Sequence, residues 1–288
     1  MPVRAYLRER FMPHIWCPGC GHGTIMNNLV RAIDSLGLKK NEVVMVTGIG
    51  CSSRISGYLD FHTLHTIHGR ALAFATGVKL ARPELTLIVP MGDGDALAIG
   101  GNHFIHAARR NMDLTVVLVN NMIYGMTGGQ VAPTTPIVAT ASTAPHGSYE
   151  ETFNIPYLAE SCGAVYVARW TSYHIRHLTK SIKEALMKKG FSLVEILAPC
   201  PTLYSRRNKL GDGLEQMEYY RDHSEIRNGA DTKTVALEFQ GKITVGKFVD
   251  KDRPTYLQAM AEHFQKRLGD RYVPSDELRN LLHAQDRN

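Results

Sequence analysis

The chain has 288 residues, of which 44% are hydrophobic, and it carries a formal net charge of +6 at pH 7. This length allows one large domain or two small ones with a sizeable core. Because the charge is modest and spread along the chain, it does not indicate nucleic-acid binding. No apolar run is long enough to cross a bilayer and no secretion signal is evident, so we expect a cytoplasmic protein with no membrane partner.

Short apolar runs rich in β-branched residues alternate with longer segments of helical periodicity. The short runs predict five buried strands, at residues 43–47, 86–90, 114–119, 164–168 and 192–197. The longer segments predict four helices, at residues 23–36, 70–82, 96–111 and 174–189. Strands that alternate with helices of this length indicate an α/β fold, in which helices flank a parallel sheet.

Two parts of the chain depart from this alternation. Residues 127–147 are rich in Gly, Pro, Thr and Ala, which predicts a long ordered loop serving a site, with disorder as the alternative. After Cys200 the pattern predicts two strands, at residues 234–239 and 242–247, around a Gln240-Gly241 turn, and a helix at residues 255–267. We therefore divide the chain into a site-bearing domain, 1–200, and a C-terminal extension, 201–288.

The predicted strand 86–90 runs into Gly92-Asp93-Gly94-Asp95, and a helix should open at about Ala96. Glycines let the backbone approach an anion, and the free N–H groups of a helix N-terminus attract phosphate. Asp93 would stand at the carboxyl end of its strand, where open α/β sheets bind ligands. Since Asn120-Asn121 ends the next strand, Asp93 and Asn121 could hold one magnesium ion together with diphosphate oxygens and water.

Each half of this pattern is weak evidence alone, because a turn glycine or an asparagine cap explains it equally well. Between Gly94 and Asn120 lie one predicted helix and one predicted strand, as a crossover between parallel strands requires. The combination resembles the thiamine-diphosphate motif. In that family a third magnesium ligand is a backbone carbonyl, so the resemblance implies Asp93, Asn121 and Ile123 as ligands. By the same resemblance, the diphosphate or the rings of the cofactor would lie against Gly94, Asp95, Gly125 and Met126.

Five cysteines in a chain of this kind favour metal ligation, catalysis or simple burial over a disulfide framework. Cys17-Pro18-Gly19-Cys20 is a Cys-x-x-Cys pair, and Cys51 and Cys200 each follow a predicted strand. Four such sulfurs could hold zinc or an iron–sulfur cluster. Because the same sheet edge would carry the magnesium site, the redox-active cluster is favoured over zinc. Cys162 has no partner spacing and is predicted to be an inert, buried residue.

Several motifs in order closely resemble the β subunits of 2-oxoacid:ferredoxin oxidoreductases, over roughly residues 16–201. They are Cys17-Pro-Gly-Cys-Gly-His22, Gly48-Ile-Gly-Cys-Ser-Ser53, His65-Thr-Ile-His-Gly-Arg70 and Gly92-Asp-Gly-Asp95. The resemblance implies a thiamine-diphosphate-binding fold and one [4Fe–4S] cluster, held by Cys17, Cys20, Cys51 and Cys200. It also implies that thiamine diphosphate lies against Ile49, Gly50, Cys51, Ser52, His68, Gly69, Arg70 and Ala71. For the His-Gly-Arg stretch, a plain helix start is the alternative.

The activity implied by the resemblance is coenzyme A-dependent oxidative decarboxylation of a 2-oxo acid, with thiamine diphosphate as the electron sink and ferredoxin as the acceptor. The reaction is expected to be reversible. No glutamate in a recognisable motif is present to activate the aminopyrimidine, so an α subunit should supply it in an αβ or α2β2 assembly. The segment Tyr124-Gly-Met-Thr-Gly-Gly-Gln130 is more similar to 2-oxoglutarate-using members. We therefore predict 2-oxoglutarate as the substrate and succinyl-CoA as the product, with pyruvate or a broad range as alternatives.

Three further interpretations remain open. His65 and His68 are the histidines nearest the inferred site and are candidates for catalytic proton transfer, with helix-start or core roles as alternatives. The basic residues that follow Cys200 could steer an acidic ferredoxin or form a solvated turn; they are Arg206, Arg207 and Lys209. Two rival functions are a non-oxidative thiamine-diphosphate decarboxylase or carboligase with a zinc site, and a non-catalytic α/β module stabilised by zinc.

Overall fold

The computed structural model describes residues 3–274, which form an α/β fold around one eight-stranded sheet. The strands are β1 (Val43–Thr47), β2 (His62–His65), β3 (Thr86–Gly92), β4 (Leu114–Asn120), β5 (Tyr166–Thr171), β6 (Phe191–Leu197), β7 (Ser224–Ile226) and β8 (Ile243–Asp250). The α-helices are α1 (His22–Ser35), α2 (Ile55–Tyr58), α3 (Ala71–Ala81), α4 (Asp93–Leu97), α5 (Gly101–Arg109), α6 (Ile155–Ser161), α7 (Ile175–Met187), α8 (Gly213–His223) and α9 (Tyr256–Leu268).

The sheet has the order β2-β1-β3-β4-β6-β5-β8-β7. Its first six strands are parallel, as predicted, whereas β8 runs antiparallel to β5 and carries β7 at the far edge. The register of β3 and β4 sets Gly92 beside Val119, so the residues that follow these strands emerge next to each other. This register places the two halves of the predicted magnesium site at one edge of the sheet.

Helices cover both faces of the sheet. Along β4, Val117 and Val119 belong to the core beneath α1 and α7, whereas Val116 and Leu118 belong to the core beneath α3, α5 and α6. Successive side chains of a strand point to opposite faces, so a strand between two helical layers is expected to be mostly apolar. All seven residues of β4 are buried accordingly.

The five predicted strands are confirmed, with ends that shift by up to three residues. The predicted helix 96–111 is wrong in detail, because the structure breaks it into α4 and α5 and starts it at Asp93. Ala98 leaves the helical region (φ −83°, ψ −96°). A Cβ at Gly100 would lie 2.2 Å from the Asp95 carbonyl oxygen, so only glycine permits this close turn.

The predicted strand 242–247 is confirmed as β8, but the predicted strand 234–239 and the hairpin pairing of the two are wrong. Residues 235–238 form no strand, and the carbonyl of Val235 accepts a hydrogen bond from the buried guanidinium of Arg169. The chain does turn at Gln240, where φ is +53°, and β8 then pairs with β5 instead of with a hairpin partner. The short edge strand β2 was not predicted, since its sequence is mostly polar and two of its four residues are exposed.

The C-terminal part of the chain adds β7, β8 and α9 to the same sheet and its margins. Residues 275–288 of the predicted extension, and residues 1 and 2 of the predicted first domain, lie outside the described residues. Residues 127–147 contain no helix or strand, in agreement with the predicted loop. Within residues 3–274, no helix is long and apolar enough to cross a membrane.

Candidate active site

A cavity of about 300 Å³ opens at the carboxyl edge of the sheet, between the residues that follow β1, β3 and β4. Most of the predicted cofactor and magnesium residues line it, namely Ile49, Gly50, Cys51, Ser52, His68, Asp93, Gly94, Asp95, Asn121, Ile123, Gly125 and Met126. Gly92, Tyr124 and Thr127 also line it and were not predicted as site residues. Ile49 and Met126 are each 43% exposed, so the cavity offers bare apolar walls to a bound ring.

Asp93 is one of two deeply buried carboxylates that line this cavity, with 3% of its surface exposed. Its Oδ1 accepts a hydrogen bond from the Gly94 N–H at 2.9 Å, and its Oδ2 accepts one from the Thr134 hydroxyl. Burial raises the pKa of Asp93 to about 6, against the effect of these donors. Because both donors are neutral, a bound cation would offset the cost of ionising this buried group.

The other two predicted magnesium ligands follow β4. The Asn121 Oδ1 accepts a hydrogen bond from the Ile123 N–H at 3.4 Å, and both residues line the cavity with Asp93. A carboxylate, an amide oxygen and a backbone carbonyl form the hard oxygen set that magnesium prefers. Among residues 3–274, no three His, Cys, Asp or Glu side chains converge on a single metal ion, and this holds for the four predicted cluster cysteines as well. The predicted magnesium set is not of that kind, since it contains only one such side chain.

Asp95 braces two loops of the cavity wall. Its Oδ1 accepts hydrogen bonds from the Gly69 N–H at 2.7 Å and the Ile49 N–H at 3.4 Å. The same oxygen lies 2.9 Å from Nδ1 of His68, and burial raises the pKa of Asp95. A Cβ at Gly48 would meet the Asp95 oxygens at 2.4 Å, so a larger residue there would displace them. Asp95 therefore holds the turns after β1 and β2 in place.

The structure separates the two candidate histidines. His68 lines the cavity, and its ring centroid lies 5.9 Å from that of Tyr124. His65 instead lies on β2, where its Nδ1 is 2.8 Å from the Thr47 hydroxyl and 3.3 Å from the Ser56 hydroxyl. Burial lowers the pKa of His65. Of the two, His68 is the one that reaches the cavity.

The three residues after His68 lie behind the lining of the cavity. Gly69 has φ +74°, and a Cβ there would strike Ile99 and Gly100, which explains the glycine. The Arg70 guanidinium lies 3.5 Å from the Ile99 carbonyl oxygen, and Ala71 is the buried first residue of α3. Gly69, Arg70 and Ala71 thus shape the wall and do not face the cavity space.

A second cavity, of about 270 Å³, adjoins the first and is lined by all four predicted cluster ligands, Cys17, Cys20, Cys51 and Cys200. The two cavities share the wall residues Cys51, Asn121, Gly125 and Met126. A Cβ at Gly125 would lie 3.5 Å from the Cys200 sulfur and 3.8 Å from the Cys51 sulfur. The glycine therefore leaves room where the two cavities meet.

The cysteine cavity fits a group larger than one ion. Its volume of about 270 Å³ is several times the roughly 30 Å³ that one water molecule occupies in the liquid, so a single metal ion would leave most of the space unfilled. Burial, together with the charges of Cys200, Cys20 and Cys17, raises the pKa of Cys51 to about 11. Four thiolates in this space repel each other, and iron ions would compensate their charge.

An aromatic wall closes one side of the cysteine cavity. The Trp16 indole N–H donates to the Cys51 carbonyl oxygen at 2.9 Å, and its ring stacks on His22 at a centroid distance of 5.5 Å. His22 Nε2 lies 3.1 Å from the Ser52 hydroxyl, and burial lowers the pKa of His22 to about 4. The sequence interpretation did not include these contacts, although His22 stands beside the Cys-x-x-Cys pair.

The fifth cysteine lies apart from these cavities. Cys162 follows the last residue of α6 and packs against the core beneath α3, α5 and α6. It is half-buried, and burial raises the pKa of its thiol. This environment is typical of an inert structural cysteine.

Known proteins are similar to this chain in sequence and fold. Residues 48–196 match the family model described as thiamine pyrophosphate enzyme, C-terminal TPP binding domain. The chain is 47% identical over 265 residues to the 2-oxoglutarate synthase subunit KorB of Methanocaldococcus jannaschii, covering 92% of this chain and 98% of that protein. It is 46% identical over 276 residues to the 2-oxoacid:ferredoxin oxidoreductase subunit beta of a Sulfolobus species, covering 91% and 90%.

The fold is also shared with a solved enzyme structure. The 2-oxoglutarate:ferredoxin oxidoreductase from Magnetococcus marinus, with 2-oxoglutarate, coenzyme A and succinyl-CoA bound, matches with a TM-score of 0.83. The sequence identity is 36%, and the match covers 99% of this chain and 96% of that one.

Proposed function

Since the chain belongs to the β subunits of 2-oxoacid:ferredoxin oxidoreductases, we propose that it binds thiamine diphosphate, magnesium and one [4Fe–4S] cluster. The enzyme would convert 2-oxoglutarate and coenzyme A to succinyl-CoA and carbon dioxide, with electrons passing to ferredoxin, and would also run in reverse. The observation that carries this proposal is the pair of adjoining cavities, one with hard oxygen donors and one with four cysteines.

In the first cavity, Asp93, Asn121 and the Ile123 carbonyl would hold magnesium and so anchor the diphosphate. When bound, thiamine diphosphate supplies an electron sink for decarboxylation. Ile49 and Met126 offer apolar surface to its rings, and the glycines at 94 and 125 keep the backbone close. Among the described residues, His68 is the histidine that lines this cavity, and it could hold or move a proton there.

In the second cavity, Cys17, Cys20, Cys51 and Cys200 would ligate the cluster, which accepts electrons one at a time. The shared wall at Cys51 and Gly125 brings the two groups next to each other. Cys17 is exposed, so the cluster would also come close to the protein surface where a ferredoxin can reach it.

An α subunit is expected to complete the enzyme and to supply the activating glutamate, for which this sequence shows no recognisable motif. Helix α3 supports such an assembly, because its exposed residues are all apolar, whereas its one charged residue, Lys79, is buried. Phe74 and Leu80 on α3 are 47% and 42% exposed, and neighbouring Ile99 is 51% exposed. A helix face that is apolar is normally buried, so another chain should cover this one.

The choice of 2-oxoglutarate is supported by the names of the relatives and by the ligands in the Magnetococcus marinus structure. We would test it by anaerobic mixing of the co-purified α and β subunits with 2-oxoglutarate or pyruvate, each with coenzyme A, followed by electron paramagnetic resonance. Cluster reduction by 2-oxoglutarate alone is the expected result. Reduction by pyruvate instead would support the proposed reaction but show that pyruvate, and not 2-oxoglutarate, is the substrate. The absence of any iron signal would contradict the proposal and favour a zinc protein.

The cluster ligands can be tested by iron and sulfide analysis of cysteine variants in the same complex. Cys51→Ser and Cys200→Ser should lose the cluster and its visible absorbance, because each removes one of the four thiolates. The matched control Cys162→Ser should keep the iron content of the unaltered enzyme, since that thiol packs in the core. Equal iron loss in the control, or none in the other two, would contradict the assignment.

A further inference from the structure

We propose that Thr134 and Thr135 clamp the two halves of the magnesium site, so that their loop and the bound metal stabilise each other. This inference rests on the proposed function and adds two positioning residues that the sequence patterns did not reveal. Both threonines lie in the long loop at residues 127–147, and both are buried, with 2% and 1% of their surfaces exposed.

Thr134 holds the first half of the site. Its hydroxyl donates to Oδ2 of Asp93, while the Gly94 N–H donates to Oδ1 at 2.9 Å. Among the described residues, Thr134 is not one of those that line the cavity. It therefore fixes the direction of the carboxylate without occupying the space that a cofactor needs.

Thr135 holds the second half. Its hydroxyl donates to the Met122 carbonyl oxygen at 2.7 Å and accepts from the Ala132 N–H at 2.8 Å. Met122 stands between the predicted ligands Asn121 and Ile123 and has φ +62°, a left-handed conformation that is strained for a residue with a side chain. The hydrogen bond to Thr135 holds this turn and thereby the positions of both ligands.

The clamp is itself held at both ends. Prolines flank the two threonines and restrict the backbone on either side. The Pro133 carbonyl accepts from the Phe153 N–H at 2.9 Å, and the Pro136 carbonyl accepts from the Ala139 N–H at 3.1 Å. A short, restrained segment thus joins the ends of β3 and β4, the two strands that present the ligands.

Residues that orient metal ligands typically change metal affinity 10- to 100-fold when they are altered. A buried threonine hydroxyl with no such role would instead change only the stability of the fold. The clamp therefore predicts a specific change in magnesium affinity, and by reciprocity a change in the order of the loop when magnesium and thiamine diphosphate bind.

The test uses the co-purified complex, stripped of metal with a chelator under anaerobic conditions. Thiamine diphosphate binding is then measured by titration calorimetry at a series of magnesium concentrations. Thr134→Val and Thr135→Val should each raise the magnesium concentration for half-saturation about 10-fold or more. Thr134→Ser keeps the hydroxyl and should show a magnesium requirement close to that of the unaltered enzyme. At saturating magnesium, kcat should return toward that of the unaltered enzyme, because the variants act on binding of the metal.

Thr140→Val is the matched control, because the Thr140 hydroxyl lies in the same loop but contacts the Arg207 carbonyl and the Asn208 side chain, each at 3.2 Å. It should leave the magnesium requirement unchanged. An unchanged magnesium requirement in Thr134→Val, or an equal rise of that requirement in Thr140→Val, would overturn the clamp.

If Thr134→Val does not fold, as judged by cluster absorbance, the comparison of Thr134→Ala with Thr134→Ser decides in the same way. If the unaltered complex binds no thiamine diphosphate, the proposed function itself fails.

Discussion

At the scale of single residues, burial controls the ionisation of the site. It raises the pKa of Asp93 to about 6 and that of Cys51 to about 11, and it also raises the pKa of Asp95. Such groups oppose ionisation until a cation compensates the charge. The metal-free site is therefore a source of instability, and bound cations should stabilise the whole fold.

Asp93→Asn should stabilise the metal-free protein at pH 7, because it removes a buried carboxylate whose pKa rises from 3.8 to about 6 on folding. The gain has an upper bound of about 3 kcal/mol at 1.36 kcal/mol per pH unit. The raised pKa means that the native state binds the proton more tightly, so the penalty is full above pH 6 and vanishes as the pH falls below 3.8. The same change should abolish stabilisation by magnesium and thiamine diphosphate.

Urea unfolding of the metal-free complex between pH 4.5 and 8 measures this effect. The exposed Asp270→Asn is the control and should change the free energy of unfolding little at any pH. A variant at Asp93 that loses stability equally at pH 5 and pH 7 would show that the buried charge is not the cause.

At the scale of elements, one buried polar network joins three neighbouring strands next to the site. The Arg169 guanidinium on β5 donates to Oε2 of Glu195 on β6 at 2.7 Å, and both side chains are fully buried. The Asn120 side-chain amide on β4 donates to Oε1 of Glu195 at 2.9 Å. The side-chain oxygen of Asn120, Oδ1, accepts a hydrogen bond from the Met122 N–H at 3.2 Å. The network therefore connects the sheet interior to the turn that carries Asn121.

Arg169→Met should destabilise the chain by about 3–5 kcal/mol, because it leaves Glu195 buried and without its charged partner. Arg169→Met combined with Glu195→Gln should recover part of that loss, since the second change removes the unpaired charge. Denaturant unfolding of both variants and of the single Glu195→Gln variant gives the coupling energy. A loss below about 1 kcal/mol in Arg169→Met would mean that water or a rearranged partner satisfies Glu195.

At the scale of the whole molecule, positive charge lies beside the expected route of the electrons. Arg206, Arg207 and Lys209 are exposed and follow directly after the turn at Pro201–Ser205 that begins beside Cys200. The Asn208 side chain ties this segment to the Thr140 backbone, donating at 3.1 Å and accepting at 2.7 Å. The basic groups are thus presented on a fixed segment near the cysteine cavity.

Arg206→Glu combined with Arg207→Glu should lower the rate of ferredoxin reduction about 10-fold at low salt, because steering by opposite charges speeds encounter. The difference should shrink at high ionic strength, where exposed charges are screened. Reduction of a small viologen dye should be unaffected. Lys266→Glu on α9 is the control, since α9 begins beside Asn111 at the opposite edge of the sheet. Equal effects on ferredoxin and dye would contradict steering.

Much of the architecture could be predicted because it depends on local patterns. The strands β1, β3, β4 and β6 are mostly apolar, as expected of strands buried on both faces, and each ends in or leads into the glycines, asparagines or cysteines of the site. The split between α4 and α5 escaped prediction because Gly100 meets a carbonyl of the preceding helix, a contact that periodicity does not encode. The hairpin failed because the strand partner of β8 is β5, far away in the chain.

The sequence by itself determined the α/β class, the order of the motifs and the identity of the residues at the strand ends, since these follow from spacing along the chain. Only the tertiary structure decided which of those residues face a common space. It set His68 at the cavity and His65 away from it, made Gly125 part of a wall between two cavities, and brought Thr134 to Asp93. The physical reason is that parallel register and loop packing bring together residues that are distant in sequence, and no local pattern records their distance.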